Sequence, residues 1–155
     1  MNIGIVVYSQ TGNTQSVAEK LKVKLDEAGH SVLLENVTVV GGRKQGDRSF
    51  QLEATPDLGG YDAVVVGSSV EAFSLSPVFS RYLAEIGSLQ GKQVACLVTQ
   101  QFPYPWMGGN RAMRQMRKLC ESKGASVCGT AIVNWAKSRR ESTTGEAVKR
   151  LAGSF

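Results

Sequence analysis

The residues best suited to binding a ligand lie between the first apolar run of the chain and the first helical stretch. The segment Ser9-Gln10-Thr11-Gly12-Asn13-Thr14 offers hydroxyl and amide groups, and its glycine lets the backbone fold tightly. The helix that follows adds backbone N–H groups and the positive end of its dipole. Residues of these types also make plain turns and helix caps. Their position after a buried strand favours a cradle for one phosphate, held by neutral donors.

Two common nucleotide-binding patterns are absent from the sequence. No GxxxxGK[ST] motif occurs, so no lysine is placed to reach a β- or γ-phosphate, and no GxGxxG motif occurs to hold a dinucleotide pyrophosphate. The first loop therefore predicts binding of a monophosphate rather than nucleotide hydrolysis.

Two later segments also follow apolar runs. Ser68–Ser74 follows a strand ending at Gly67, and Gln100–Gly109 follows a strand ending at Thr99. The second segment holds Phe102, Tyr104 and Trp106, with Pro103 and Pro105 stiffening it and Gly108-Gly109 permitting close approach of the backbone. A flat aromatic ligand binds between apolar or aromatic side chains such as these. The alternative is that these rings form a small packing cluster.

The elements that position these loops follow from hydrophobic patterning. Strands are predicted at the continuous apolar runs Ile3–Tyr8, Val32–Val37, Ala63–Gly67, Val94–Thr99 and Val127–Val133. Helices are predicted over Thr14–Ala28, from the Ser76-Pro77 cap onward, from Asn110 to Gly124, and over Thr143–Leu151, where Thr143 and Glu146 have capping-box spacing. This alternation predicts a doubly wound α/β sandwich. Residues 38–60 have no strong period, which leaves a short helix, a hairpin or a mobile excursion open.

Composition is that of one globular domain, spanning residues 1–155. The chain has 42% hydrophobic and 20% charged residues and a formal net charge of +5. The charge is uneven, because residues 1–75 carry 6 basic and 9 acidic side chains whereas residues 76–155 carry 12 and 4. Such asymmetry favours an acidic partner or nucleic acid.

The pattern [ST]-x-T-G-x-T between the first strand and helix resembles the phosphate loop of the flavodoxin family, and element order agrees over essentially the whole chain. The resemblance implies a three-layer sandwich with a five-stranded parallel sheet of order 2-1-3-4-5 and FMN at its carboxyl edge. The two later segments match the loops that flank the flavin ring. The implied FMN-binding residues are Ser9, Gln10, Thr11, Gly12, Asn13, Thr14, Ser68, Ser69, Val70, Glu71, Ala72, Phe73, Thr99, Gln100, Gln101, Phe102, Tyr104, Trp106, Gly108 and Gly109.

The function implied by the resemblance is an electron carrier between redox proteins. No catalytic residue and no metal site is expected, since His30 is the only histidine and is placed at the opposite edge, and Cys96, Cys120 and Cys128 form no CxxC pair. Glu71 is either an anionic neighbour of the flavin or a solvated carboxylate. The alternatives are an NAD(P)H-dependent FMN or quinone reductase on the same fold, and a flavin-free interaction module.

Expectations about partners follow from charge. Basic side chains cluster at Arg111, Arg114 and Lys118 and again at Lys137, Arg139 and Arg140. They form either solvated faces or a docking patch for an acidic redox protein. No nucleic-acid motif accompanies them, so nucleic acid is not expected as a partner. The opening MNIGIVVYSQTG lacks the basic start of a signal peptide, which predicts a cytoplasmic protein without a membrane partner, as a monomer or weak dimer.

Overall fold

The fold is described from a computed structural model that covers residues 1–44, 46–102, 104 and 106–155. Five long strands form its sheet: β1 (Asn2–Tyr8), β2 (Ser31–Asn36), β3 (Ala63–Glu71), β5 (Gln93–Gln100) and β6 (Ser126–Asn134). A two-residue strand, β4 (Ser74–Leu75), pairs antiparallel with the end of β3. The helices are α1 (Asn13–Glu27), α2 (Pro77–Glu85), α3 (Gly109–Ser122) and α4 (Arg140–Ala152).

The order of the long strands is β2-β1-β3-β5-β6, and all their pairings are parallel. Counted along the chain, this is the predicted order 2-1-3-4-5, which is confirmed. The short β4 is the sixth strand that the sequence did not predict. Because parallel strands all end at one edge, the loops after β1, β3, β5 and β6 meet there.

Helices cover both faces of the sheet and bury two separate cores. On one face α1 and α4 contribute Val17, Leu21 and Leu151, all fully buried. On the other face α2 and α3 contribute Phe79, Leu83 and Met116. The three central strands, β1, β3 and β5, are buried on both sides, which explains why their sequences read as continuous apolar runs rather than as alternating ones.

Two predicted helix starts are wrong. Gly108, with φ 112°, precedes the first residue of α3, so Asn110 lies inside the helix instead of capping it. Helix α4 begins at Arg140 rather than Thr143. Thr143 lies within its first turns, where its Oγ1 donates to the carbonyl of Arg139 at 2.6 Å, and the predicted capping box does not form. In both places backbone geometry overrides the side-chain signal.

The segment 38–60 is a hairpin-like excursion, one of the three alternatives that the sequence left open. Val39 and Leu52 form an antiparallel bridge. Adjacent backbone bonds run from Val40 N–H to the carbonyl of Gln51 and from Glu53 N–H to that of Thr38, at 2.9 and 2.8 Å. Gln45 lies outside the described residues.

The histidine and the three cysteines lie away from the loops at the carboxyl edge. His30 lies at the amino-terminal edge of the sheet, where its Nδ1 is 3.2 Å from the chain's amino nitrogen. Cys96 and Cys120 are fully buried, whereas Cys128 is only partly buried. Within the described residues, no helix has the length and apolar character needed to cross a lipid bilayer.

Candidate functional site

Three loops converge at the carboxyl edge of the sheet and line one cleft. The first loop contributes Gln10, Thr11 and Asn13, the end of β3 contributes Ser69 and Val70, and the end of β5 contributes the remaining walls, which are formed by Thr99, Gln100 and Gln101. All eight of these residues belong to the set predicted from the sequence. The cleft lies beside the start of α1, between β1 and β3, where the strand order reverses.

The first loop wraps tightly around the start of α1. Gly12 adopts φ 90°, a left-handed conformation that favours glycine, and a Cβ added there would meet no atom within 4 Å. Ser9 Oγ accepts a hydrogen bond from the N–H of Gln15 at 3.2 Å, which fixes the loop to the helix. Thr11 is exposed. The outer side of the loop is therefore open, with a hydroxyl group and a helix start beside it.

Thr14 and Gln10 have different roles from those expected of exposed ligand donors. The Thr14 side chain is fully buried, and its Oγ1 lies 2.7 Å from Oγ1 of Thr99. This contact joins the first loop to the end of β5. The Gln10 side-chain amide donates to the backbone carbonyl of Arg43, which ties the first loop to the excursion. Both residues position the cleft as well as border it.

The segment after Gly67 is not the open loop that the sequence suggested. Strand β3 continues to Glu71, and Ala72 and Phe73 form a tight turn with φ 49° and 63° before β4. Ser68 is fully buried. The backbone of Gly108 packs closely against this turn, because a Cβ added at Gly108 would lie 2.8 Å from Cα of Phe73. The close approach allowed by this glycine is therefore between two segments of the protein.

Phe73 and Phe102, which follow two of the segments that line the cleft, stack on each other. Their ring centroids are 5.5 Å apart with an interplanar angle of 11°, and the side chains are 52% and 47% exposed. The cleft itself has a cavity volume of about 20 Å³. A flat ligand between two parallel rings needs about 7 Å between their planes, so its insertion requires one of these exposed rings to rotate.

A second stack lies beside the first. Tyr104 and Trp106 have centroids 5.7 Å apart and an interplanar angle of 4°. Tyr104 also lies under the guanidinium of Arg139, at 5.3 Å. Pro103 and Pro105, which were predicted to stiffen this loop, lie outside the described residues.

The buried side chain of Gln100 organises the loop after β5. Its Nε2 lies 2.6 Å from the carbonyl oxygens of both Phe102 and Tyr104, and 2.7 Å from Oδ1 of Asn134. Gly109 packs on the same amide, since a Cβ there would come within 2.1 Å of Gln100 Oε1. The predicted residues Gln100 and Gly109 thus shape the loop from inside.

Glu71 is neither a solvated carboxylate nor a free charge facing the cleft. Its side chain is 3% exposed and accepts two hydrogen bonds from Arg43, at 2.8 and 3.0 Å, and one from the N–H of Gly46 at 3.1 Å. Ser76 donates a further bond to it. Burial raises the pKa of Glu71, but these bonds and the Arg43 charge outweigh burial and lower it below its ordinary value.

Arg43 is the residue at this edge that sequence analysis missed. Its side chain is 1% exposed, and it also contacts Tyr8 Oη at 3.3 Å and donates to the carbonyl of Asp47. An arginine in an aperiodic segment gives no local signal. The available hint was Glu71 itself, because a carboxylate between Val70 and Ala72 in a buried stretch needs a cationic partner.

A larger hollow lies at the opposite edge of the sheet. It has a cavity volume of about 560 Å³ and is bordered by residues 55–59 and by the end of α2 and the turn after it. The Tyr82 hydroxyl at its wall already donates to the carbonyl of Pro56 at 2.6 Å. None of the residues predicted to bind a ligand lies there.

No family model matches the chain. Among individual proteins, it is 28% identical to a flavodoxin from Megasphaera elsdenii over 138 residues, which is 85% of each chain. The fold is similar to the crystal structure of oxidised Flavodoxin 2 from Bacillus cereus, with a TM-score of 0.70, 24% identity and coverage of 99% and 97% of the two chains. It is also similar to a flavoprotein from Lactobacillus acidophilus NCFM solved in complex with FMN, with a TM-score of 0.66, 19% identity and coverage of 94% and 97%.

The structural similarity to Flavodoxin 2 covers 99% of the chain, which includes β1, β3 and β5 and the cleft at their ends. The chain has the flavodoxin-like fold, and its sequence is similar to that of a flavodoxin over 85% of its length.

Proposed function

We propose that this protein binds FMN at the carboxyl-edge cleft and carries electrons between redox proteins. The observation that carries the proposal is the convergence of the three predicted loops on one cleft. One sequence relative is a flavodoxin, and one structural neighbour was solved with FMN. Reversible uptake of electrons is chemistry that the flavin supplies when bound.

The first loop fits a single phosphate group. The space above Gly12 is open, Thr11 offers a hydroxyl group, and α1 begins at Asn13 with no acidic residue in its first turn. Arg43, whose backbone carbonyl accepts a hydrogen bond from Gln10 of the loop, directs its guanidinium to Glu71 rather than to the loop. The phosphate would thus be held by neutral donors and the helix dipole.

The ring would be bordered by Phe73 and Phe102, the two exposed aromatic side chains at the mouth of the cleft. Their rotation would open the narrow space that lies between them. Residues 69–70 and 99–101 line the interior. These groups hold and orient a ring, and no side chain in the cleft needs to act as an acid or base.

Equilibrium titration with FMN, followed by flavin fluorescence, tests the role of the first loop. Thr11→Ala should weaken binding by roughly 10- to 100-fold, the usual worth of one hydrogen bond to a charged group, and Thr11→Ser should retain the parent affinity. Gly12→Ala should also weaken binding, because an Ala is strained at φ 90° and adds a methyl group above the loop.

Gly29→Ala is the matched control for the second variant. Gly29 has φ 94° and equally open surroundings, but it lies at the opposite edge of the sheet. It should lose similar stability and keep its FMN affinity. Equal affinity of Thr11→Ala and the parent protein would contradict the assignment of the loop. Catalytic oxidation of NADPH by the FMN-loaded protein with a quinone would contradict the carrier role and favour a reductase.

A further inference from the structure

Exposed aromatic side chains are confined to one edge of the described structure. They are Phe73, Phe102, Tyr104 and Trp106, and Trp106 is 72% exposed. Elsewhere in the described residues the aromatic rings are buried or partly covered. A contiguous exposed apolar patch on a globular protein marks an interaction site more often than a chance feature.

Two arginines lie over rings of this same edge. The Arg139 guanidinium is 5.3 Å from the Tyr104 ring centroid, and that of Arg140 is 4.9 Å from the Trp135 ring. Arg140 also donates to the Trp135 carbonyl at 3.0 and 3.2 Å. We call the residues Tyr104, Trp106, Trp135, Arg139 and Arg140 the aromatic–arginine surface.

These cations occur where local helix energetics disfavour them. Arg139 is the N-cap and Arg140 the first residue of α4, and Arg111 lies in the first turn of α3. Positive charge at a helix N-terminus opposes the helix dipole. Glu141 offsets part of this in α4, whereas the first turn of α3 has no acidic residue. A local conflict of this kind is typical of a residue kept for binding.

Negative charge is sparse in the surrounding sequence, where Glu141 directly follows the two arginines. From residue 86 to residue 140 the only acidic residue is Glu121, and it pairs with Arg117 at 2.9 Å near the far end of α3. The surface therefore presents a positive field with aromatic rings inside it. Its complement is a protein face that carries carboxylates around a small apolar centre.

We propose that the aromatic–arginine surface is the docking site of an acidic redox protein. The inference rests on the proposed function, since the surface adjoins Phe102 at the mouth of the cleft and would bring a partner's redox centre beside the flavin. The guanidinium groups pair with carboxylates, and Tyr104 and Trp106 supply the apolar contact. The small extent of the surface suits a transient electron-transfer complex rather than a permanent one.

Binding of the FMN-incubated protein to the acidic soluble domain of a b-type cytochrome tests this assignment, measured by calorimetric titration at low and high salt. Arg139→Gln/Arg140→Gln should weaken binding about tenfold at low ionic strength, and the difference should fall below about twofold at 0.5 M salt. The matched control is Lys149→Gln/Arg150→Gln, which removes the same charge from the other end of α4 and should change affinity less than about twofold.

Equal binding by the Arg139→Gln/Arg140→Gln variant and the parent would overturn the proposal, and so would tighter binding of basic cytochrome c than of the acidic cytochrome. A single-stranded DNA oligonucleotide that binds more tightly than the acidic cytochrome would also overturn it, by assigning the surface to nucleic acid. FMN absorbance is recorded in the same samples. Arginine-dependent cytochrome binding without FMN uptake would support the docking surface while refuting the proposed function.

Discussion

Replacement of Arg43 should destabilise the protein more than replacement of any exposed cation, because it leaves the buried Glu71 carboxylate without its counter-charge. The two side chains are 1% and 3% exposed and share two hydrogen bonds of 2.8 and 3.0 Å. Loss of one member of a buried pair costs about 3–5 kcal/mol. Arg43→Met keeps much of the apolar volume and removes the charge.

The size of this loss is large relative to the whole stability of a single domain, which is about 5–15 kcal/mol. With a urea m-value of about 2 kcal/mol/M, the midpoint of unfolding should fall by roughly 1.5–2.5 M. The matched control is Lys22→Met. Lys22 pairs with Asp26 at 2.7 Å, but both side chains are more than a third exposed (37% and 42%), so the expected loss is below about 1 kcal/mol.

Two further measurements separate the charge effect from a packing effect. Arg43→Met/Glu71→Gln should be more stable than Arg43→Met alone, because the neutral amide keeps polar partners at Ser76 and Gly46 without a buried charge. The loss should also shrink in acid. The lowered pKa of Glu71 stabilises the parent above the ordinary carboxyl pKa, and that contribution disappears as the pH falls through the lowered value.

The stability of Arg43→Met should depend on pH in the opposite sense. Without Arg43, burial raises the pKa of Glu71, so protonation in acid removes the unpaired buried charge and stabilises the variant. The difference between parent and variant is therefore greatest near pH 7. A urea midpoint for Arg43→Met no lower than that of Lys22→Met, or a loss that grows in acid, would refute the reasoning.

Two predictions concern the contacts that shape the cleft. Thr99→Val should cost about 1–3 kcal/mol in urea unfolding because it leaves Thr14 Oγ1 buried without its partner at 2.7 Å, and Thr14→Val/Thr99→Val should recover part of this; additive losses would contradict the pairing. Gly67→Ala should lower stability by about 1–3 kcal/mol, since the added Cβ would lie 2.9 Å from Val7 Cγ1. Gly145→Ala is the control, because Gly145 lies in open space within α4, and it should stabilise the protein by about 0.5–1 kcal/mol. A Gly67→Ala protein that is more stable than the parent would contradict the packing of β3 against β1.

The sheet was predictable because its information is local. Runs such as Ile3–Tyr8 and Val94–Thr99 are apolar and rich in β-branched residues. This local pattern is sufficient to predict a strand that is buried on both faces. Helix limits were less predictable. Gly108, in a left-handed conformation, is the N-cap of α3 and lies two residues before Asn110, which has the better side chain for a cap. The backbone path therefore decides where the helix begins, and capping chemistry does not.

The cleft was predictable where loops follow strands and unpredictable where distant segments meet. Thr11, Ser69 and Gln101 line it because each lies at the carboxyl end of a strand or just beyond. Arg43 and Glu71 are 28 residues apart and belong to segments without a shared pattern. Their pairing depends on how residues 38–60 return to the sheet edge, which local propensity does not encode.

The central claim is that a loop of neutral donors holds the phosphate of FMN. The most direct test compares the affinities of the purified protein for FMN and for riboflavin, which has the same ring system and no phosphate, by fluorescence titration. We expect stoichiometric uptake of FMN and at least about 100-fold weaker binding of riboflavin, since several charge-assisted hydrogen bonds are lost. Equal affinities for the two flavins, or no uptake of FMN at all, would contradict it.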